Sequence, residues 1–168
     1  MQQANQHLDP RGKFQVEHYN EAGDFLGVYD FPNGITNGGK DLLLDVMFFG
    51  GSQVAAASWY VGLLDLSGYS ALAAADTMSS HAGWNEFTSY SEATRVAWGP
   101  GAASSQSTTN ASPATFNING SGTVKGVFIT SNNTISGTSG TLWSTALFGS
   151  DVPVSNGDQL KVTYTVSA

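Results

Sequence analysis

The sequence predicts a mainly β protein: an antiparallel β-sandwich, jelly-roll-like, with one short helix at about residues 38–49 and an N-terminal hairpin or arm. Three observations predict it. Short runs of alternating apolar and polar residues recur along the chain, Gly- and Asn-containing turns separate them, and a single stretch carries helical spacing. With 168 residues the chain has room for one domain with a real core.

The elements follow in order. Residues 1–12 are polar, contain Asp9-Pro10 and Gly12, and read as a flexible lead-in, with order expected from Lys13. Phe14, Val16 and His18 then alternate with Gln15, Glu17 and Tyr19. A Gly-containing turn at residues 20–24 leads into a second apolar run from Phe25 to Phe31, which makes a hairpin. Breakers at Pro32-Asn33-Gly34 and Asn37-Gly38-Gly39 set this hairpin apart. The expected division is therefore an arm and hairpin at 1–35 and a β-sandwich domain at 36–168.

Leu42, Leu43, Val46 and Met47 share one helical face, with Asn37 as a cap and Gly50-Gly51 as the stop. The continuous apolar run at residues 59–64 reads as a central strand buried on both faces. Residues 67–84 form a long structured excursion that includes a helix-compatible Ala-rich stretch at 71–75. Strand character returns at 88–98, and a Ser/Thr/Asn-rich loop occupies 102–112. Strands are expected at 114–118, 123–130, 141–148 and 159–166. In the last of these Leu160, Val162, Tyr164 and Val166 face one way.

Charge is scarce. Only 11% of residues are charged, against roughly 25% in an average soluble domain. Between Val96 and Ser150 Lys125 is the one charged residue, so the sheet edges there lack the charges that normally keep other chains away. They are expected to be covered by a neighbouring subunit or partner, or by a loop of the same chain. A net charge of −7 with six Lys and Arg argues against nucleic acid as a partner. No apolar stretch approaches the length of a membrane span, so a membrane partner is not expected, and synthesis is expected in the cytoplasm. The absence of cysteine excludes disulfides and thiolate metal sites.

No motif for catalysis, metal or cofactor is read from the residues. His7, His18 and His81 do not cluster in sequence. Asp76, Ser80 and His81 lie close along the chain, but a triad requires convergence in space, and His81 with Trp84 is expected instead to lock the long loop onto the sandwich. Asp151, Asn156 and Asp158 read as turn formers rather than calcium ligands. Of the four tryptophans, Trp59 and Trp143 are expected in the core, which leaves Trp84 and Trp98 as candidates for a ligand or partner contact.

The segments DFPNGITNGGKDLLLDVMF at 30–48 and NGDQLKVTYTV at 156–166 resemble small virion structural proteins of tailed bacteriophages. WYVGLL at 59–64 and MSSHAGWNEFTSYSEATR at 78–95 are similar to the same group. The resemblance covers most of the chain from about residue 13. It implies a capsid decoration or cement protein: a jelly-roll-like module that binds the major capsid protein on the virion exterior, stabilises the shell and has no enzymatic activity. It also implies a homo-oligomer, dimer or trimer.

Such a module is expected to bridge neighbours through its N-terminal region, with Phe14, Val16, Phe25, Tyr29, Phe31, Trp84 and Trp98 as contact candidates. A tail- or fibre-associated virion component, or a carbohydrate-binding β-sandwich module, are the alternatives.

Overall fold

A computed structural model describes residues 9–168, and the expectations for residues 1–8, His7 among them, lie outside the described residues. Two antiparallel sheets face each other across one continuous hydrophobic core.

The first sheet is built on β1 (Arg11–Tyr19), which is flanked by β2 (Phe25–Pro32) and the C-terminal β11 (Gln159–Ser167). Beyond β11 lie two short strands that share its outer side. β8 (Ala114–Asn117) pairs with residues 159–162 and β7 (Ser107–Thr109) with residues 165–167. The second sheet runs β3 (Gly34–Ile35), β10 (Leu142–Val154), β9 (Gly122–Thr130), β4 (Tyr60–Asp65), and ends in β5 (Asn85–Phe87) and β6 (Val96–Ala97), which pair with opposite ends of β4. Because β9 and β10 pair in one sheet while their neighbours β8 and β11 pair in the other, a long folded hairpin wraps the core in the manner of a jelly roll.

Alternation decides which side chains enter the core. Phe14 and Val16 of β1 and Leu160, Val162 and Tyr164 of β11 are fully enclosed, and they meet Val61 and Leu63 of β4 with Val127 and Ile129 of β9. β4 is buried on both faces, as its unbroken apolar run predicts. Leu64 points away from the sandwich interior and packs with Phe128, Leu142, Met78 and Trp84 in a second cluster.

The excursion from Leu66 to Trp84 covers that outer face. Residues 71–75 are not helical there. Ser70 and Ala71 instead donate backbone hydrogen bonds to Gly83 O, and Asn37 donates to Ala74 O, so the alanines follow loop geometry set by their neighbours.

Four further expectations need correction. The strand begins at Arg11 rather than Lys13. The hairpin at residues 11–32 is no separate arm, since β1 is a central strand held on both sides by β2 and β11. The strand character read at 88–98 reduces to Val96–Ala97. Part of the loop at 102–112 is a strand, β7.

The bare edge of the first sheet is covered by the chain itself. Ser91 N donates to Asn117 O, Gly101 N donates to Thr109 O, and the Glu92 carboxylate accepts from the backbone and side-chain N–H groups of Asn117. The irregular segment around residues 89–101 thus caps β8 at Asn117 and β7 at Thr109, the covering by a loop of the same chain that is one of the two expectations.

Candidate interaction surface

After β3, the chain turns into α1 (Asn37–Leu44), continued by one π-helical turn (Asp45–Phe49). Thr36, not Asn37, is the cap: its Oγ1 accepts from Gly39 N at 3.0 Å and donates to Leu142 O. Gly39 brings the helix hard against β10, because any Cβ at that position would press on the backbone oxygen and ring of Trp143. Gly50 ends the turn with φ +78°, a left-handed conformation suited to glycine. The helix is thereby clamped at its N-terminal turn and projects its far end into solvent.

Leu42, Leu43 and Val46 are half-buried, as the spacing predicts. Met47 is not: it is 64% exposed, and with Leu44 (53%), Phe48 (82%) and Phe49 (85%) it forms an uncovered apolar cluster. The sequence carried a signal for this. Leu42-Leu43-Leu44 and Val46-Met47-Phe48-Phe49 place apolar residues around most of the helix circumference, whereas one face suffices to dock a helix on a sheet. Beside the cluster lies a cavity of about 290 Å³ lined by the charged Asp9 and Lys40 and the apolar Pro10, Ile35, Leu43, Leu44 and Trp143. Trp143 is held in place from behind, its Nε1 donating to the Tyr164 hydroxyl at 2.9 Å.

A second uncovered surface lies on β2, the edge strand of the first sheet. Phe25, Leu26 and Val28 are all exposed. Phe25 pairs with Tyr19 in the β1–β2 ladder and meets its ring edge-on. Tyr29 is half-buried against Phe148. The Tyr19 hydroxyl donates to Glu17 at 2.8 Å, and this hydrogen bond raises the pKa of the phenol.

The other contact candidates are core residues. Phe14 and Val16 are completely enclosed. Phe31, Trp84 and Trp98 are buried too. Trp98 Nε1 donates to Tyr164 O at 2.9 Å, and Trp84 Nε1 donates to Asp76 at 3.0 Å while its ring lies on Phe128. The expected roles of the tryptophans are exchanged, since Trp59 and Trp143 are the half-buried pair, edge to face at 6.1 Å.

The polar groups that drew notice in the sequence serve the fold. His81 stacks on Trp84 at 3.9 Å with Nδ1 3.1 Å from Trp84 O, which fastens the excursion as expected. His18 and Asp158 form a buried pair at 3.0 Å, and Asp158 also accepts from Ser155 N in the turn before β11. Asp151 pairs with Lys125. Among the described residues no three His, Asp or Glu side chains gather as a metal-binding group, and no helix is long and apolar enough to cross a membrane.

No protein-family model matches the chain, and no curated protein matches it in sequence.

Proposed function

We propose that this chain is a virion structural protein of the tailed-phage type that decorates and cements the capsid by binding the major capsid protein, acting by bridging and not by catalysis. The observation that carries this reading is the pair of separate uncovered apolar surfaces, one on the edge strand β2 and the other at the end of α1. β2 is the edge of the first sheet, whereas α1 follows β3 of the second sheet, so the two surfaces belong to different sheets of the sandwich. A bridge needs two separated attachment surfaces, and here each offers large apolar side chains whose burial is worth about 1.5–3 kcal/mol apiece. On a repeating lattice such modest contacts add through multivalency.

The sequence resemblance to decoration proteins and the net charge of −7, which disfavours adhesion to packaged DNA, support the same reading. The carbohydrate-binding alternative depended on Trp84 and Trp98, and both are buried.

The test is co-sedimentation of the purified chain with empty phage shells, followed by reconstruction of the decorated particle. Saturation in step with the capsid lattice is expected. Binding restricted to a few copies at a tail or fibre would move the chain to that part of the virion, and absence of binding to any virion surface would overturn the proposal.

A further inference from the structure

We infer that the surface at the end of α1 takes a second copy of this chain, forming a two-fold dimer in which the helices pack antiparallel about Leu44. The inference deepens the bridging reading above by naming the partner of one of its two surfaces.

Knob and hole lie side by side on this surface, the arrangement that a two-fold axis requires, because each patch must be complementary to itself. With the axis at Leu44, Phe48 of one copy faces Lys40 of the other, four residues away on the opposite side of the centre. There it meets the cavity walled by Leu43, Ile35 and Trp143. The Lys40 stem packs along the incoming ring, and its ammonium comes within reach of Asp45, one helical turn back from Phe48.

Charge complementarity supports this occupant. Lys40 and Asp45 are both exposed and form no ion pair among the described residues, and antiparallel packing about Leu44 brings Lys40 of each helix, the neighbour of Asp41, toward Asp45 of the other. The area also fits. Leu44, Met47, Phe48 and Phe49 leave on the order of 500 Å² of side-chain surface uncovered. With the cavity wall added, this approaches the roughly 800 Å² per partner of a standard stable interface. The anchor residues are aromatic, a side-chain type common at hot spots.

The experiment is sedimentation velocity on the full chain across the micromolar range, with circular dichroism as the check on folding. The wild type is expected as a dimer. Phe48→Ser with Phe49→Ser raises the dissociation constant at least about 100-fold, since two aromatic anchors are lost. Lys40→Glu weakens the dimer roughly tenfold, and Lys40→Glu combined with Asp45→Lys recovers most of that loss.

A wild type that stays monomeric through the high-micromolar range overturns the inference, as does a dimer indifferent to the serine pair or a double charge swap no better than Lys40→Glu alone. Shell binding is scored separately. A monomeric wild type that decorates shells sinks this dimer and leaves the bridging reading standing. A dimer that ignores every virion surface does the reverse.

Discussion

The Arg95 guanidinium forks onto the Glu86 carboxylate, Nε to Oε1 at 2.8 Å and Nη2 to Oε2 at 2.9 Å, with both side chains almost wholly enclosed. Its remaining donors reach Asn132 O and Gly137 O, its carbon lies 5.2 Å from the centre of the Phe128 ring, and Ser136 N donates to Glu86. One ion pair therefore joins β5, the approach to β6 and the loop at 131–140. Removing one partner leaves a buried charge uncompensated, so Glu86→Ala is expected to lower stability by about 3–5 kcal/mol. Urea unfolding checks this, and a loss below about 1 kcal/mol would mean that water reaches the guanidinium.

Phe14 is the second test. A detachable N-terminal arm would let residues 1–31 be deleted without harm to the domain. Phe14, however, stacks on Tyr164 at 4.2 Å and on Phe31 at 5.8 Å in the middle of the first sheet. Phe14→Ala is expected to cost about 3–5 kcal/mol, and to lower the melting temperature by roughly 10 °C or more. Deletion through residue 31 removes β1 and most of β2, and is expected to yield no cooperative thermal transition at all.

The contrast between these two residues shows what was legible in the sequence. Phe14 belongs to an alternating strand, and alternation reports which residues share a face, so β1 and β11 were readable as strands with one buried face, although Phe14 and Val16 were expected at a partner contact. Alternation does not report which strands are neighbours. The pairing of β1 with β11 joins residues some 150 positions apart, and a hairpin bounded by Gly and Pro therefore read as an arm.

Arg95 was hidden for another reason. A buried arginine differs from an exposed one only by partners such as Glu86, and they are assembled by irregular backbone at residues 88–95 that no periodicity describes. Trp84 and Trp98 were misplaced on the same account, because neither lies in a regular strand. The Met47–Phe49 cluster, by contrast, was readable in principle, through an excess of apolar residues over what one helical face can bury.

Two glycines in the second sheet have different reasons to be glycine. Gly62 of β4 lies opposite Phe128 of β9, whose ring covers it, so an added Cβ would collide with that ring. Gly126 of β9 lies between Leu64 and Leu147, beside the irregularity in the β9–β10 ladder, and its Cβ would strike the backbone oxygen of Ala146. A ring can tilt by a few degrees, but a backbone oxygen moves only if the strands part. Gly62→Ala is therefore expected to cost about 1–3 kcal/mol, and Gly126→Ala more than that. Chemical denaturation of the two variants in parallel gives the order, and the reverse ranking would show that Phe128, held under Trp84, is the less yielding neighbour.

The buried Tyr164 hydroxyl is one of two buried phenols expected to weaken the fold at alkaline pH. Burial pushes its pKa up to about 12, and the hydrogen bonds donated by Asn33 Nδ2 at 2.7 Å and Trp143 Nε1 at 2.9 Å offset that rise only in part. The folded state thus favours the neutral phenol, while the unfolded chain ionises near the ordinary value of 10. Below that value the contribution to stability is fully present. As pH climbs from 10 the unfolded state releases its proton first, and the contribution is gone once the folded-state value near 12 is passed. A difference of this size corresponds to about 3 kcal/mol.

Tyr90, raised in the same direction by burial and then by the Glu86 charge, steepens the decline. Stability measured by urea unfolding at several pH values above neutrality should therefore fall through the alkaline range. In Tyr164→Phe it should start about 1–3 kcal/mol lower, because the Asn33 and Trp143 donors lose their acceptor, and then fall less steeply. An equal slope in the two proteins would assign the alkaline transition to Tyr90 or to the summed surface charge.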